Sequence, residues 1–282
     1  MEKKLHTPEG VRDIYNTECK RKLKVQDNLH EVLRVYGYQD IQTPTFEYFD
    51  VFREEIGTIS SRELYKFFDR DGNTLVLRPD ITPSIARAAA TLFETEDFPL
   101  RLCYTGSTFI NHSSYQGRLK ENTQMGAELI GADSIEADAE MLAMVVDGLK
   151  KVGLKEFQVN IGHVDYIQSL MDATDLEKNE KAEIHQLISN RNYFGVEEIL
   201  DNKNVKQNIK EAFHILPELM GDVEILDTAL EIAPSIEARH AISHLQQIYK
   251  LLTLYGVEEH ITFDLSMNGS YGYYTGIIFR AY

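Results

Sequence analysis

Gln124, Gly126 and Glu128 stand at alternate positions in the run 122–130. Side chains alternate across a strand, so in an extended run these three share one face. Met125, Ala127 and Leu129 then cover the other. An amide and a carboxylate two pleats apart, with a side-chain-free position between them, form an open polar floor. Such a floor suits a small ligand with an amino group and a ring nitrogen, because both groups accept N–H donors. The same pattern fits a half-exposed antiparallel strand with one wet face. Asp80-Ile81-Thr82-Pro83 is a second set, since a carboxylate beside a hydroxyl suits an ammonium. Its plainer reading is a helix start, with Thr82 as N-cap and Pro83 in the first turn. Tyr273 and Tyr274 offer flat rings with hydroxyls, although paired tyrosines also serve as strand packing.

The elements that must position these residues follow from the surrounding pattern. The stretch 100–109 is β-rich, 111–121 is a polar loop with Gly117 and Arg118, and 122–130 is the returning strand. A hairpin spans 64–78, turning at Asp71-Gly72-Asn73, and the alanine-rich 84–93 is a packed helix. Upstream, Asn16 or Thr17 caps a helix carrying Leu29, Val32, Leu33 and Tyr36 on one face and stopped by Gly37. A short strand, 38–43, ends at Pro44, and 46–54 restarts a helix. Downstream, Asp133 or Ser134 caps a helix to about Val152, 157–162 is a buried-type strand, and 261–266 returns to strand. Between 169 and 254 only helical stretches are read, the clearest after Pro234. The expected fold is α+β: a mixed, mostly antiparallel sheet flanked by helices. The core is 1–170 with 255–282, and 171–254 is a helical insertion.

With 282 residues, 43% hydrophobic and 26% charged, the chain has the make-up of a soluble globular protein with a sizeable core. A formal net charge of −16 argues against a nucleic-acid surface, which needs cations against phosphate. No apolar run approaches a membrane span. Cys19 and Cys103 fit no metal-ligand spacing and read as reduced thiols of a cytoplasmic protein.

The residues around the polar floor resemble motif 2 of class II aminoacyl-tRNA synthetases in its histidyl form. Gly106, Phe109, Gly117, Arg118, Gln124, Gly126 and Glu128 stand in register with that motif. Two positions depart from it: Ile110 replaces the arginine that binds ATP and carboxylate, and His112 replaces a glutamate. Arg78-Pro79-Asp80-Ile81-Thr82 resembles the Arg-Pro-Glu-Gly-Thr of the same family, and Tyr273-Tyr274-Thr275-Gly276 resembles its histidine signature. In that signature Gly269 replaces an arginine and Gly272 an aspartate. The helix, strand and Pro44 near the start resemble motif 1, which builds a dimer interface, and the helical insertion falls where these synthetases carry one. No third motif, with its ATP-clamping arginine, is read before Tyr282.

The resemblance implies a histidine pocket. Asp80 and Thr82 take the ammonium with Gln124 nearby, Glu128 faces the imidazole, and Tyr273 and Tyr274 line its side. Arg118 is the candidate cation for the ligand carboxylate. Adenylation concentrates negative charge, and losing one positioned donor costs about 100-fold or more. Ile110 and Gly269 remove two such donors, so no catalytic residue is expected, nor a metal or cofactor. The pattern as a whole resembles the regulatory subunits of ATP phosphoribosyltransferase, the first enzyme of histidine biosynthesis. That family implies a non-catalytic chain, dimeric within a hetero-oligomer, that supports a short-form catalytic subunit and conveys feedback inhibition by histidine. The alternatives are a degenerate or truncated histidyl-tRNA synthetase, or another non-catalytic synthetase-like domain.

Overall fold

The computed structural model describes residues 5–52, 59–95, 98–113, 117–203, 205–267 and 274–282. The chain divides into two compact units, 1–133 and 134–282.

In the first unit, α1 (Asn16–Val35) has Tyr15 as its N-cap residue, with no side-chain cap bond. Asn16 itself takes φ 51°, so the expected cap at Asn16 or Thr17 does not form. Asparagine tolerates this left-handed region, and the chain turns there into the helix. Gly37, at φ 85°, ends the helix as expected. No residue of α1 is fully buried. The following strand β1 (Gln39–Asp40) is shorter than expected, because the Thr43 and Pro44 carbonyls turn to the Arg78 guanidinium instead of a strand.

The helix expected from 46 is a strand, β2 (Phe46–Tyr48), followed by a 3-10 turn, Phe49–Phe52. Alternation decides it: Phe46 and Tyr48 face out, while Glu47 faces in to Arg87 at 2.7 Å. The hairpin β3 (Lys66–Phe68) and β4 (Thr74–Leu77) completes an antiparallel sheet in the order β2-β4-β3. Its turn is tied by Asp69 Oδ1, which accepts from the Asp71 and Asn73 amides at 2.9 Å.

Next come α2 (Thr82–Leu92), β5 (Leu100–Phe109) and β6 (Glu121–Ile130). Ile81, Ile85 and Ala89 pack on Leu100, Leu102 and Tyr104, sealing one face of β5. In the antiparallel β5–β6 pairing, Leu102 lies opposite Glu128, Tyr104 opposite Gly126, and Gly106 opposite Gln124. β1 joins β5 in parallel, with Asp40 opposite Cys103.

The second unit begins with α3 (Ile135–Lys151), capped by Ser134 Oγ on the Ala137 amide, and β7 (Val159–His163). Helices α4 (Val164–Asp172), α5 (Lys178–Ser189), α6 (Tyr193–Asp201) and α7 (Gln207–Ile215) follow. A two-residue strand, β8 (Met220–Gly221), interrupts the stretch read as helical throughout; it is too short to leave a periodicity. Then come α8 (Ile225–Ile232), α9 (Ile236–Tyr255), β9 (Ile261–Asp264) and β10 (Ile277–Ala281). The sheet order is β10-β7-β9-β8, with β7–β9 parallel and its other pairings antiparallel. One apolar core joins α3, β7 and β9 to the helices within 171–254, with Ile242, Leu245, Ile248 and Leu252 of α9 at its centre. No described helix is long and apolar enough to cross a membrane.

Candidate functional site

Asp80 lies between β4 and α2, Thr82 is the first residue of α2, and both reach across to β6. Asp80 Oδ1 accepts from the Ile81 amide at 2.7 Å and from Gln124 Nε2 at 3.0 Å. The Thr82 hydroxyl does not cap α2, whose N-cap residue is Ile81 with no side-chain bond. It donates to Glu128 Oε1 at 2.7 Å. The helix-cap reading of Thr82 is therefore not realised, and its hydroxyl is tied to β6 instead. Gln124 Nε2 also approaches the Tyr104 hydroxyl at 3.4 Å. Asp80, Thr82, Gln124 and Glu128 thus form one connected polar floor within the first unit.

The floor is not open at Gly126. A Cβ there would collide with the Tyr104 hydroxyl, so the ring of Tyr104 occupies the space that the missing side chain leaves. Gly106 does the same for Arg78, whose Nη2 stands where a Cβ would be. Arg78 is only 6% exposed. Its Nε donates to the Ser107 carbonyl at 2.9 Å, and Nη1 donates to the Thr43 and Pro44 carbonyls at 2.9 and 3.2 Å. Nη2 donates to none of the described residues, and it lies over Gly106 on the face that Gln124 shares. Burial lowers the guanidinium's pKa, opposed by the nearby Glu47 and Tyr104.

Burial raises the pKa of Glu128, and the charge of Asp80 adds to this; hydrogen bonds from Thr82 and Tyr104 oppose it. Burial, then Glu128, pushes the Tyr104 phenol well above its ordinary value. Among the described residues, Asp80 Oδ2 and Gln124 Oε1 accept no hydrogen bond found in the floor, Glu128 accepts from Thr82 and Tyr104 with lone pairs left over, and Arg78 Nη2 gives none. Free acceptors with one cationic donor fit a zwitterion that carries a further N–H group.

Arg118 is exposed on the loop and joins none of these bonds. Tyr274 belongs to the second unit and is 40% exposed. Tyr273, Gly269 and Gly272 lie outside the described residues. Ile110 is half-buried, its amide held by the Lys120 carbonyl at 2.9 Å, and His112 faces Glu63 at 3.5 Å. Sequence reasoning missed Tyr104 and Arg78. Their signal was there in two strand glycines opposite larger residues, since glycine inside a strand marks a close approach.

The family model described as histidyl-tRNA synthetase matches residues 10–282. A protein of Acetivibrio thermocellus named ATP phosphoribosyltransferase regulatory subunit is 38% identical over 279 residues, covering 99% of this chain and 67% of that protein. A namesake from Thermoanaerobacter pseudethanolicus is 36% identical, with 99% and 72% covered. The crystal structure of an ATP phosphoribosyltransferase regulatory subunit/histidyl-tRNA synthetase from Bacillus halodurans superposes with a TM-score of 0.91 at 33% identity, covering 100% of this chain and 74% of that one. Histidyl-tRNA synthetase from Nostoc shares the fold, with a TM-score of 0.82 at 19% identity, covering 98% and 64%. The sequence matches and the class II fold lead to one assignment: the chain belongs to the ATP phosphoribosyltransferase regulatory subunits, a histidyl-tRNA synthetase-like family named for regulation rather than catalysis.

Proposed function

We propose that this chain binds histidine on the polar floor and conveys it as a feedback signal to a short-form catalytic subunit of ATP phosphoribosyltransferase. The observation that carries the reading is the pair of cross-links Thr82–Glu128 and Gln124–Asp80, which hold two carboxylates in fixed orientation with acceptor lone pairs to spare. The ligand ammonium goes to Asp80 Oδ2 and Gln124 Oε1, and the imidazole N–H to Glu128. Its carboxylate goes to Arg78 Nη2, which replaces Arg118 in this role because it is buried and shares the face of Gln124. Ile110 puts a butyl group where the synthetase motif has its phosphate-binding arginine, so the floor binds without activating.

The chain is proposed to work in the cytoplasm as a homodimer inside the hetero-oligomer. Support comes from α1, a 20-residue helix with no fully buried residue and with Leu23 and Val35 exposed at 53% and 79%. Co-purification with a short-form catalytic subunit, then assay with and without histidine, tests the reading. Activity that needs this chain and falls with histidine supports it. A stable complex indifferent to histidine would remove the feedback role, and no complex would remove the partnership.

A further inference from the structure

His30 on α1, Asp40 on β1 and Cys103 on β5 meet beside the hairpin. Asp40 and Cys103 are partners in the parallel β1–β5 pairing, which sends both side chains to one side of the sheet. After α1 the turn at Gly37 brings β1 alongside the helix, and His30 Nε2 comes to 2.5 Å from Asp40 Oδ1. Cys103 Sγ is 3.7 Å from the same oxygen. All donor atoms of the trio lie within 4.8 Å of one another, and it is the one such group among the described residues.

We propose that this trio is a zinc-type divalent metal site, with the Cys103 thiolate, the His30 imidazole and the Asp40 carboxylate as ligands and a water completing the tetrahedron. The donor set chooses the metal: thiolate and imidazole suit zinc, whereas magnesium and calcium take oxygen ligands. Zinc bonds of about 2.0–2.3 Å set tetrahedral ligands roughly 3.3–3.6 Å apart. The Cys103–Asp40 spacing of 3.7 Å is already close to that. The His30–Asp40 contact of 2.5 Å must open by about 1 Å, a side-chain adjustment for two partly exposed groups.

Cys103 is 0% exposed, and burial with the neighbouring Asp40 pushes its thiol up to about 11. Metal binding deprotonates it and releases that proton to solvent, leaving two anionic ligands that neutralise a dication. The His30 and Asp40 side chains are 33% and 63% exposed, which supplies an entry path and a place for the water. Arg34 is the opposing charge: it acts on both Asp40 and Cys103, and it weakens the site. The sequence gives no sign of such a site, because positions 30, 40 and 103 are joined only by helix return and strand pairing.

The test titrates the full chain with Co²⁺ and then Zn²⁺. One cobalt per chain is expected, with a cobalt–thiolate charge-transfer band that zinc removes. The band should survive Cys19→Ser and vanish in Cys103→Ser. Asp40→Asn and His30→Ala should each weaken binding at least tenfold. Circular dichroism checks folding; if Cys103→Ser does not fold, the exposed Asp40→Asn decides. Failure of wild type to hold metal against a weak chelator overturns the proposal. So does a band that persists without Cys103, or Asp40→Asn binding as well as wild type.

Discussion

Cys103 and Tyr104 are neighbours on β5 and point to opposite sides of the same hairpin. On the Tyr104 side, Ile81, Ile85 and Ala89 close over Leu100, Leu102 and Tyr104, and all six are buried. On the Cys103 side, Cys103 is buried, but Thr105 is exposed and Met125, Ala127 and Leu129 are only half-covered. Lys22 of α1 reaches Thr123 at 2.5 Å on this side, yet α1 buries none of its residues fully. The contrast assigns different work to the two faces. A dry wall of apolar side chains holds charged groups in fixed geometry, because it excludes the water that would screen them. A half-covered apolar face gains from a second surface, and its natural use is assembly.

The largest effect should come from filling the sealed face. Gly126→Ala forces Tyr104 out of its place, an overpacking cost of about 1–3 kcal/mol, and disturbs Gln124 with it. Thermal unfolding should shift down and histidine affinity should fall at least tenfold. Ala127→Gly, one residue on and facing the other way, should leave histidine binding intact. Equal effects from the two would erase the distinction between the faces.

Glu128→Ala is next. It removes the proposed imidazole acceptor and strands the Thr82 hydroxyl, so histidine binding should weaken by about 1–3 kcal/mol in calorimetric titration. Met125→Ala, on the opposite face, is the control and should bind as wild type does. If wild type takes up no histidine, the floor is vestigial, and sensing lies with the catalytic partner.

Assembly gives a smaller shift, readable by light scattering. Leu23→Glu combined with Val35→Glu places two charges on the exposed apolar side chains of α1. The population at micromolar concentration should move from dimer toward monomer, with histidine affinity changed little. An unchanged mass would take α1 out of the interface.

How far the sequence reaches can be seen at particular residues. Period-two alternation located both strands of the hairpin and the shared face of Gln124 and Glu128, because one slip would move every side chain to the wrong side. Gly37 and Gly72, both at positive φ, end the first helix and turn the hairpin where expected. Phe46–Tyr48 misled because three alternating residues beside an apolar 3-10 turn also fit a helix start. Tyr104 and Arg78 were hidden for another reason. Their roles depend on which empty position each one fills, and strand register sets that, not local pattern. Arg118 is the cation that the polar loop offers, while Arg78, 28 positions before Gly106, is the one whose Nη2 lies over that glycine.

The smallest expected effect tests whether the floor is tuned for a ligand at the expense of the fold. Burial raises the pKa of Glu128, so the folded chain holds that proton more tightly than the unfolded chain does. Ionised Glu128 therefore lowers stability, and its contribution declines as pH rises from the unfolded value through the raised one. Glu128→Gln keeps an acceptor for the Thr82 hydroxyl and removes the charge. Without ligand, the variant should melt about 1–3 °C above wild type near pH 8. The gap should close toward about pH 4, where wild-type Glu128 is protonated as well. Saturating histidine should reverse the order at pH 8, because only the carboxylate gives the imidazole N–H an anionic acceptor. A variant that melts below wild type at pH 8 without ligand would mean that the charge is satisfied within the fold. The sealed face would then be structural, and no more a binding site than the open one.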